Sequence, residues 1–152
     1  MTARKPLAPG ATLEGEGGDY RVHEQIGFIL RKANQRHLAI FAAHIGDLTP
    51  PQFATLAKLA EVGETSQNQL GTLVAMDAAT IKGVIDRLKM RGFVEVRNHD
   101  EDRRRIVVSL TEEGREAVAR LLPEARLVTE ETLSPLTPRE AATLTRLLVK
   151  IA

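Results

Sequence analysis

The sequence predicts a mainly α-helical chain with one small β-hairpin, a compact central module and helices at both ends. Three observations predict it. Apolar residues recur at helical spacing through most of the 152 residues. Two β-branched runs, one around Phe93, Val94 and Val96 and one over Ile106, Val107, Val108 and Leu110, flank the polar stretch Asn98–Arg105. Thr49-Pro50-Pro51-Gln52 and Thr137-Pro138-Arg139-Glu140 each read as a capping box with proline in the first turn.

In chain order, residues 1–18 mix Pro, Gly, Lys and Glu without periodicity and predict a flexible arm. From about Asp19 to Gly46 the spacing of Ile26, Ile29, Leu30, Ala33, Ile40, Phe41 and Ile45 predicts one long amphipathic helix. The Thr49 signal opens a second helix with Phe53, Leu56, Leu59 and Ala60 inward. Thr65 or Ser66 caps a short third helix carrying Leu70, Leu73 and Val74, and Asp77 caps a fourth with Ile81, Val84, Ile85 and Leu88 inward. Arg91-Gly92 ends that helix before the hairpin. Thr111-Glu112-Glu113 starts a long helix towards Leu133, kinked at Pro123, and Thr137 opens a terminal one with Ala141, Leu144, Leu147, Leu148 and Ile151 apolar. The domain division is therefore an arm at 1–18, a dimerisation helix at 19–47, a central lobe at 48–110 and dimerisation helices at 111–152. The terminal helices carry more apolar face than a module of this size can cover, which calls for a second copy of the chain.

Composition excludes several functions. No apolar run is long enough to span a membrane and the first residues lack a secretory core, so a soluble, cytoplasmic protein is expected. The absence of cysteine closes disulfides, thiolate metal sites and thiol sensing. Aromatic residues are few, Tyr20 and four phenylalanines, which disfavours single-strand binding by base stacking. A net charge of +1 is silent about polyanions, but Lys82, Arg87, Lys89, Arg91, Arg97, Arg103, Arg104 and Arg105 concentrate basic charge on two short elements.

Those elements have the form of a DNA reader. A helix in the major groove needs one face held to the core and short or polar side chains on the other. The outward set here is Ala79, Thr80, Lys82, Gly83, Asp86 and Arg87. Thr80 suits a thymine methyl or a base acceptor, Lys82 a guanine or a phosphate, and Gly83 removes bulk at closest approach. Asp86 is repulsive to phosphate and is expected to pair with Lys82 or Lys89. At the hairpin tip, Arg103, Arg104 and Arg105 repel one another unless acidic neighbours orient them or phosphates neutralise them, and an arginine there suits a narrow minor groove. Taken alone, the helix also fits an ordinary surface helix and the charge run a solvated loop.

Together the segments resemble the MarR family of bacterial regulators. The resemblance is carried by Leu70-Gly71, the run from Met76 to Ile81, Val84-Ile85-Asp86-Arg87-Leu88, Arg91-Gly92-Phe93-Val94, Asp102-Arg103-Arg104 and Ser109-Leu110-Thr111-Glu112-Glu113-Gly114, and covers Asp19 to the C-terminus. It implies a triangular homodimer with two winged helix-turn-helix lobes and a pseudo-palindromic double-stranded operator with half-sites roughly 34 Å apart. It assigns Asp77–Met90 as the recognition helix, Ser66–Met76 as its support with Gln67 and Asn68 on phosphate, Arg104 as the minor-groove residue and Asp102 as its anchor.

The resemblance also implies a small effector that weakens operator binding. His23, Leu30, His37 and His44 recur every seven residues, about 10 Å apart, too far to share one metal. His37 and His44 are then either hydrogen-bonded at the dimer boundary or, with Arg31 or Arg36, orient an acidic aromatic ligand beside Phe41 and Phe53. The run from Ile26 to His37 and that from Ala75 to Val84 are most similar to the subgroup controlling aromatic-acid catabolism. Members of that subgroup answer to hydroxylated aromatic or heteroaromatic acids or to hydroxycinnamoyl-coenzyme A thioesters, whose phosphates Arg21, Lys32, Arg36 or the Arg4-Lys5 arm could meet. No cofactor is implied. No nucleophile and base pair, Gly-rich phosphate loop or HExxH pair supports an enzyme. A winged helix serving only protein contact is the alternative, and it leaves Arg103–Arg105 unexplained.

Overall fold

The computed structural model describes residues 20–152, so the expected arm at 1–18, with Arg4 and Lys5, lies outside the described residues. The chain divides into two compact units, Met1–Ala33 and Asn34–Ala152. The first helix, α1, spans Ile26–His44, later than the apolar spacing suggests. A 3-10 turn at Val22–Glu24 precedes it, and Gln25 between them is extended at φ −79° and ψ 140°. The Gln25 side-chain amide donates back to the Arg21 carbonyl at 3.1 Å, which stabilises that break. Within the first unit Ile26, Ile29 and Leu30 are exposed, and the Arg31 guanidinium lies 5.3 Å from the centre of the Phe28 ring.

In the second unit α2 spans Pro50–Val62, and its capping box is complete: Gln52 N–H donates to Thr49 Oγ1 at 3.3 Å and Thr49 N–H to Gln52 Oε1 at 3.1 Å. Ser66, rather than Thr65, caps α3 (Gln67–Leu73), and Asp77 caps α4 (Ala78–Met90). The turn between them holds Ala75 in the left-handed region at φ 55°. Close packing of α3 on α4 depends on Gly71, where a Cβ would come within 3.1 Å of both Ile81 Cγ2 and the Met76 carbonyl oxygen.

The hairpin is one strand larger than the sequence predicts. Thr65–Ser66 form a short strand β1, and with β2 (Val94–Asn98) and β3 (Ile106–Leu110) they make an antiparallel sheet of order β1-β3-β2. Val108 sits between Thr65 and Val96 in register, fully buried. A two-residue strand has no alternating pattern to read, which is why it escaped the sequence.

Helix α5 spans Glu112–Leu133 and continues past Pro123, and α6 spans Pro138–Ile151 behind its own capping box. One cluster from Ile40 and Phe41 through Leu56, Leu70, Ile81, Ile85, Leu88 and Val108 to Val118 and Val128 forms the core. Ile81, Val84, Ile85 and Leu88 hold α4 to it, each fully buried aliphatic side chain contributing about 1.5–3 kcal/mol. By contrast α6 buries none of its residues, and Leu144, Leu147, Leu148 and Ile151 are exposed. Among the described residues no helix is long and apolar enough to cross a membrane.

Candidate nucleic-acid interface

The core-facing residues of α4 turn Ala79, Thr80, Lys82, Asp86 and Arg87 to solvent, with Gly83 partly covered. At its start the Asp77 carboxylate accepts the Thr80 N–H at 2.7 Å. That backbone hydrogen bond holds the Asp77 carboxyl below its ordinary range, so the cap stays charged at neutral pH. A Cβ at Gly83 would meet nothing within 4 Å, so the fold itself does not require glycine there. Lys82 Nζ donates to Asp86 at 2.8 Å, the pairing that the i,i+4 spacing suggests.

The wing is closed by its own hydrogen bonds. His99 N–H donates to the Arg105 carbonyl at 2.8 Å and Arg105 N–H to the Asp102 carbonyl at 2.9 Å. Asp102 grips the main chain of Arg104: its Oδ1 accepts the Arg104 N–H at 3.0 Å. The expected anchor thus acts on the Arg104 backbone, not on its guanidinium, and leaves the side chain exposed along with Arg103 and Arg105. Asp102 fixes the turn conformation through a local side-chain to backbone bond.

Folding brings the wing to the start of α3. Ser66, Gln67, Asn68, Arg104, Arg105 and Ile106 line one depression of about 240 Å³. The pairing of β1 with β3 creates this meeting, because Ser66 opposite Val107 sets the first turn of α3 beside the base of the wing. Backbone N–H groups at a helix start and two arginines form a cationic, donor-rich surface suited to phosphate.

The six residues expected to meet an effector divide differently. Arg36 donates to the Thr132 and Glu131 carbonyls at 2.7 and 2.9 Å, near the end of α5. His37 Nδ1 is 2.9 Å from Thr132 Oγ1, and His44 lies between Glu124 at 3.0 Å and Glu131 at 2.7 Å. These two carboxylates, above all the hydrogen bond to Glu131, raise the His44 pKa above 6.5. Phe41 is buried, and its ring meets that of Phe53 edge-on at 6.3 Å. Arg36, His37 and His44 therefore already have partners on α5 of their own chain, whereas Arg31 stands on the first unit. The sequence missed Glu124 and Glu131 as partners of His44, although their seven-residue spacing places them on one face of α5. Among the described residues no three His, Asp or Glu side chains form a metal-binding group.

Residues 48–106, from the start of the lobe to the wing, match the MarR family. The HTH-type transcriptional repressor NicR of Pseudomonas putida is 41% identical over 134 residues, covering 87% of this chain and 85% of NicR. A probable transcriptional regulator from Pseudomonas aeruginosa matches with TM-score 0.84 and 49% identity, over 87% of this chain and 100% of that one. BpsR of Bordetella bronchiseptica, whose DNA binding is regulated by 6-hydroxynicotinic acid, matches with TM-score 0.84 and 40% identity, over 88% of this chain and 97% of its own. These relatives are transcription regulators, not enzymes, and they do not favour the protein-contact alternative. A helix-turn-helix with an arginine-tipped wing and a 41% identical repressor spanning most of both chains lead to one conclusion: the chain belongs to the MarR family of transcription regulators.

Proposed function

We propose that the chain binds a pseudo-palindromic DNA operator as a homodimer and represses an aromatic-acid catabolic operon until an acidic effector releases it. The observation that carries this reading is the meeting of Gln67 and Asn68 with Arg104 and Arg105 in one depression, in a lobe whose α4 keeps its polar face exposed. In this arrangement Ala79, Thr80, Lys82, Gly83 and Arg87 face the major groove, Arg104 enters the minor groove, and Gln67, Asn68, Arg103 and Arg105 hold phosphate. Lobe 48–110 reads DNA. The segments 19–47 and 111–152 join two copies, which would cover the apolar stripe of α6.

The effector is a hydroxylated aromatic or heteroaromatic acid or its coenzyme A thioester. NicR is a repressor, and 6-hydroxynicotinic acid regulates BpsR, which supports the free heteroaromatic acid over the thioester. An incoming carboxylate would compete with Glu131 and Glu124 for His44, and with the α5 carbonyls for Arg36.

The test is a fluorescence titration of labelled promoter duplex across a salt series. Arg104→Ala should weaken binding and reduce the salt slope by about two in a dimer, one cation per lobe. An unchanged slope refutes the wing assignment. Adding 6-hydroxynicotinic acid, other hydroxylated aromatic acids or a hydroxycinnamoyl-coenzyme A to the complex should lower the anisotropy for one class, and no response from any class refutes the effector reading.

A further inference from the structure

The wing's internal hydrogen bonds fix its shape but not its angle to the lobe. Arg97, one residue before the end of β2, supplies a link across the sheet. Its Nη2 lies 2.5 Å from Glu64 Oε1, in the segment between α2 and β1, while Nη1 reaches the Asn98 carbonyl at 3.3 Å and Asp100 at 3.5 Å. Among the described residues no other side-chain hydrogen bond or ion pair joins residues 97–106 to the rest of the lobe. Val107, the register partner of Arg97, is only 5% exposed and shares a lined hollow with Arg97, Glu64 and Arg105.

We propose that the Glu64–Arg97 ion pair is a latch that sets the angle at which the wing presents Arg104 to DNA, making both positioning residues for operator binding. This rests on the reading of the wing as a DNA contact. The latch makes a prediction that plain electrostatics opposes. Neutralising Glu64 makes the lobe more positive, so the field alone would tighten DNA binding. A latch predicts weaker binding, because the freed wing must be ordered again on each encounter. Half-exposed pairs are modest contributors, so the expected loss is about threefold per lobe and about tenfold for a duplex engaging two.

The experiment uses the full chain and a duplex that it selects from a random library. Affinities are measured for the wild type, Glu64→Gln, Arg97→Met, the double variant and Arg104→Ala, with thermal unfolding of each to confirm folding. Glu64→Gln should weaken binding, lose hydroxyl-radical protection at the wing positions and keep major-groove guanine protection from dimethyl sulfate. The double variant should lose no more affinity than Arg97→Met alone, as expected of one shared interaction. Tighter or unchanged binding by Glu64→Gln, or additive losses in the double variant, overturns the latch. Arg104→Ala separates the failures: if it leaves binding unchanged, the wing is no DNA contact, and if it weakens binding while Glu64→Gln does not, the latch alone falls.

Discussion

Gly114→Ala should destabilise the lobe far more than one added methyl suggests. An ideal Cβ at Gly114 would stand 2.1 Å from the Phe93 carbonyl oxygen and 3.2 Å from Leu110 Cδ2, so the start of α5 must move by about 1 Å or more to clear van der Waals contact. Several interactions converge there. Thr111 N–H donates to Phe93 O at 3.1 Å, Thr111 Oγ1 to Gly92 O at 2.6 Å, and Gly114 N–H to Thr111 Oγ1 at 3.0 Å. Loss of one such bond costs about 1 kcal/mol and loss of the cap a similar amount, so about 2–4 kcal/mol is expected. Urea unfolding at fixed protein concentration measures it, and the melting temperature should fall by roughly 4–16 °C. A variant within about 0.5 kcal/mol of the parent would refute the claim that this contact locks α5 to the sheet.

Gly83→Ala tests the opposite case. With open space around its Cβ it should stabilise α4 by up to about 1 kcal/mol in thermal unfolding, yet weaken DNA binding if the backbone approaches the bases there. Ala75→Gly should relieve the left-handed turn of the helix-turn-helix by about 0.5 kcal/mol net, read as a higher urea midpoint with an unchanged m-value. His44→Ala should cost most stability below about pH 6.5 and progressively less above it. Because the folded His44 pKa is raised, its contribution is complete below 6.5 and disappears as pH rises through the folded value. Denaturation of both proteins across this range checks the sign, and a gap that widens with pH contradicts it.

Much of the lobe was legible because each boundary is a local device. Thr49 with Gln52, Asp77, and Thr137 with Glu140 are caps complete within four residues, and the structure forms all three. The four buried residues of α4 follow directly from helical spacing, and with them its solvent face. The break at Gln25 was not legible, since Ile26 and Ile29 continue an apolar rhythm that says nothing about one extended residue. Nor was β1, whose two residues matter because they carry the start of α3 to the wing. The polar partners of Arg36, His37 and His44 lie 80 to 96 residues away on α5, beyond the reach of any local pattern. Asp102 was legible as a wing anchor, but which atom of Arg104 it holds depends on the turn geometry.

Selection of the full-length chain's preferred duplex from a random library tests the central claim most directly. Two lobes presenting α4 and Arg104 about a dimer axis predict an inverted repeat with half-sites about 10 bp apart, each with an A·T-rich flank where the wing enters the minor groove. Arg104→Ala should keep the half-site sequence and lose the preference for that flank. Enrichment of a single asymmetric site, or no enrichment at all, would contradict the account.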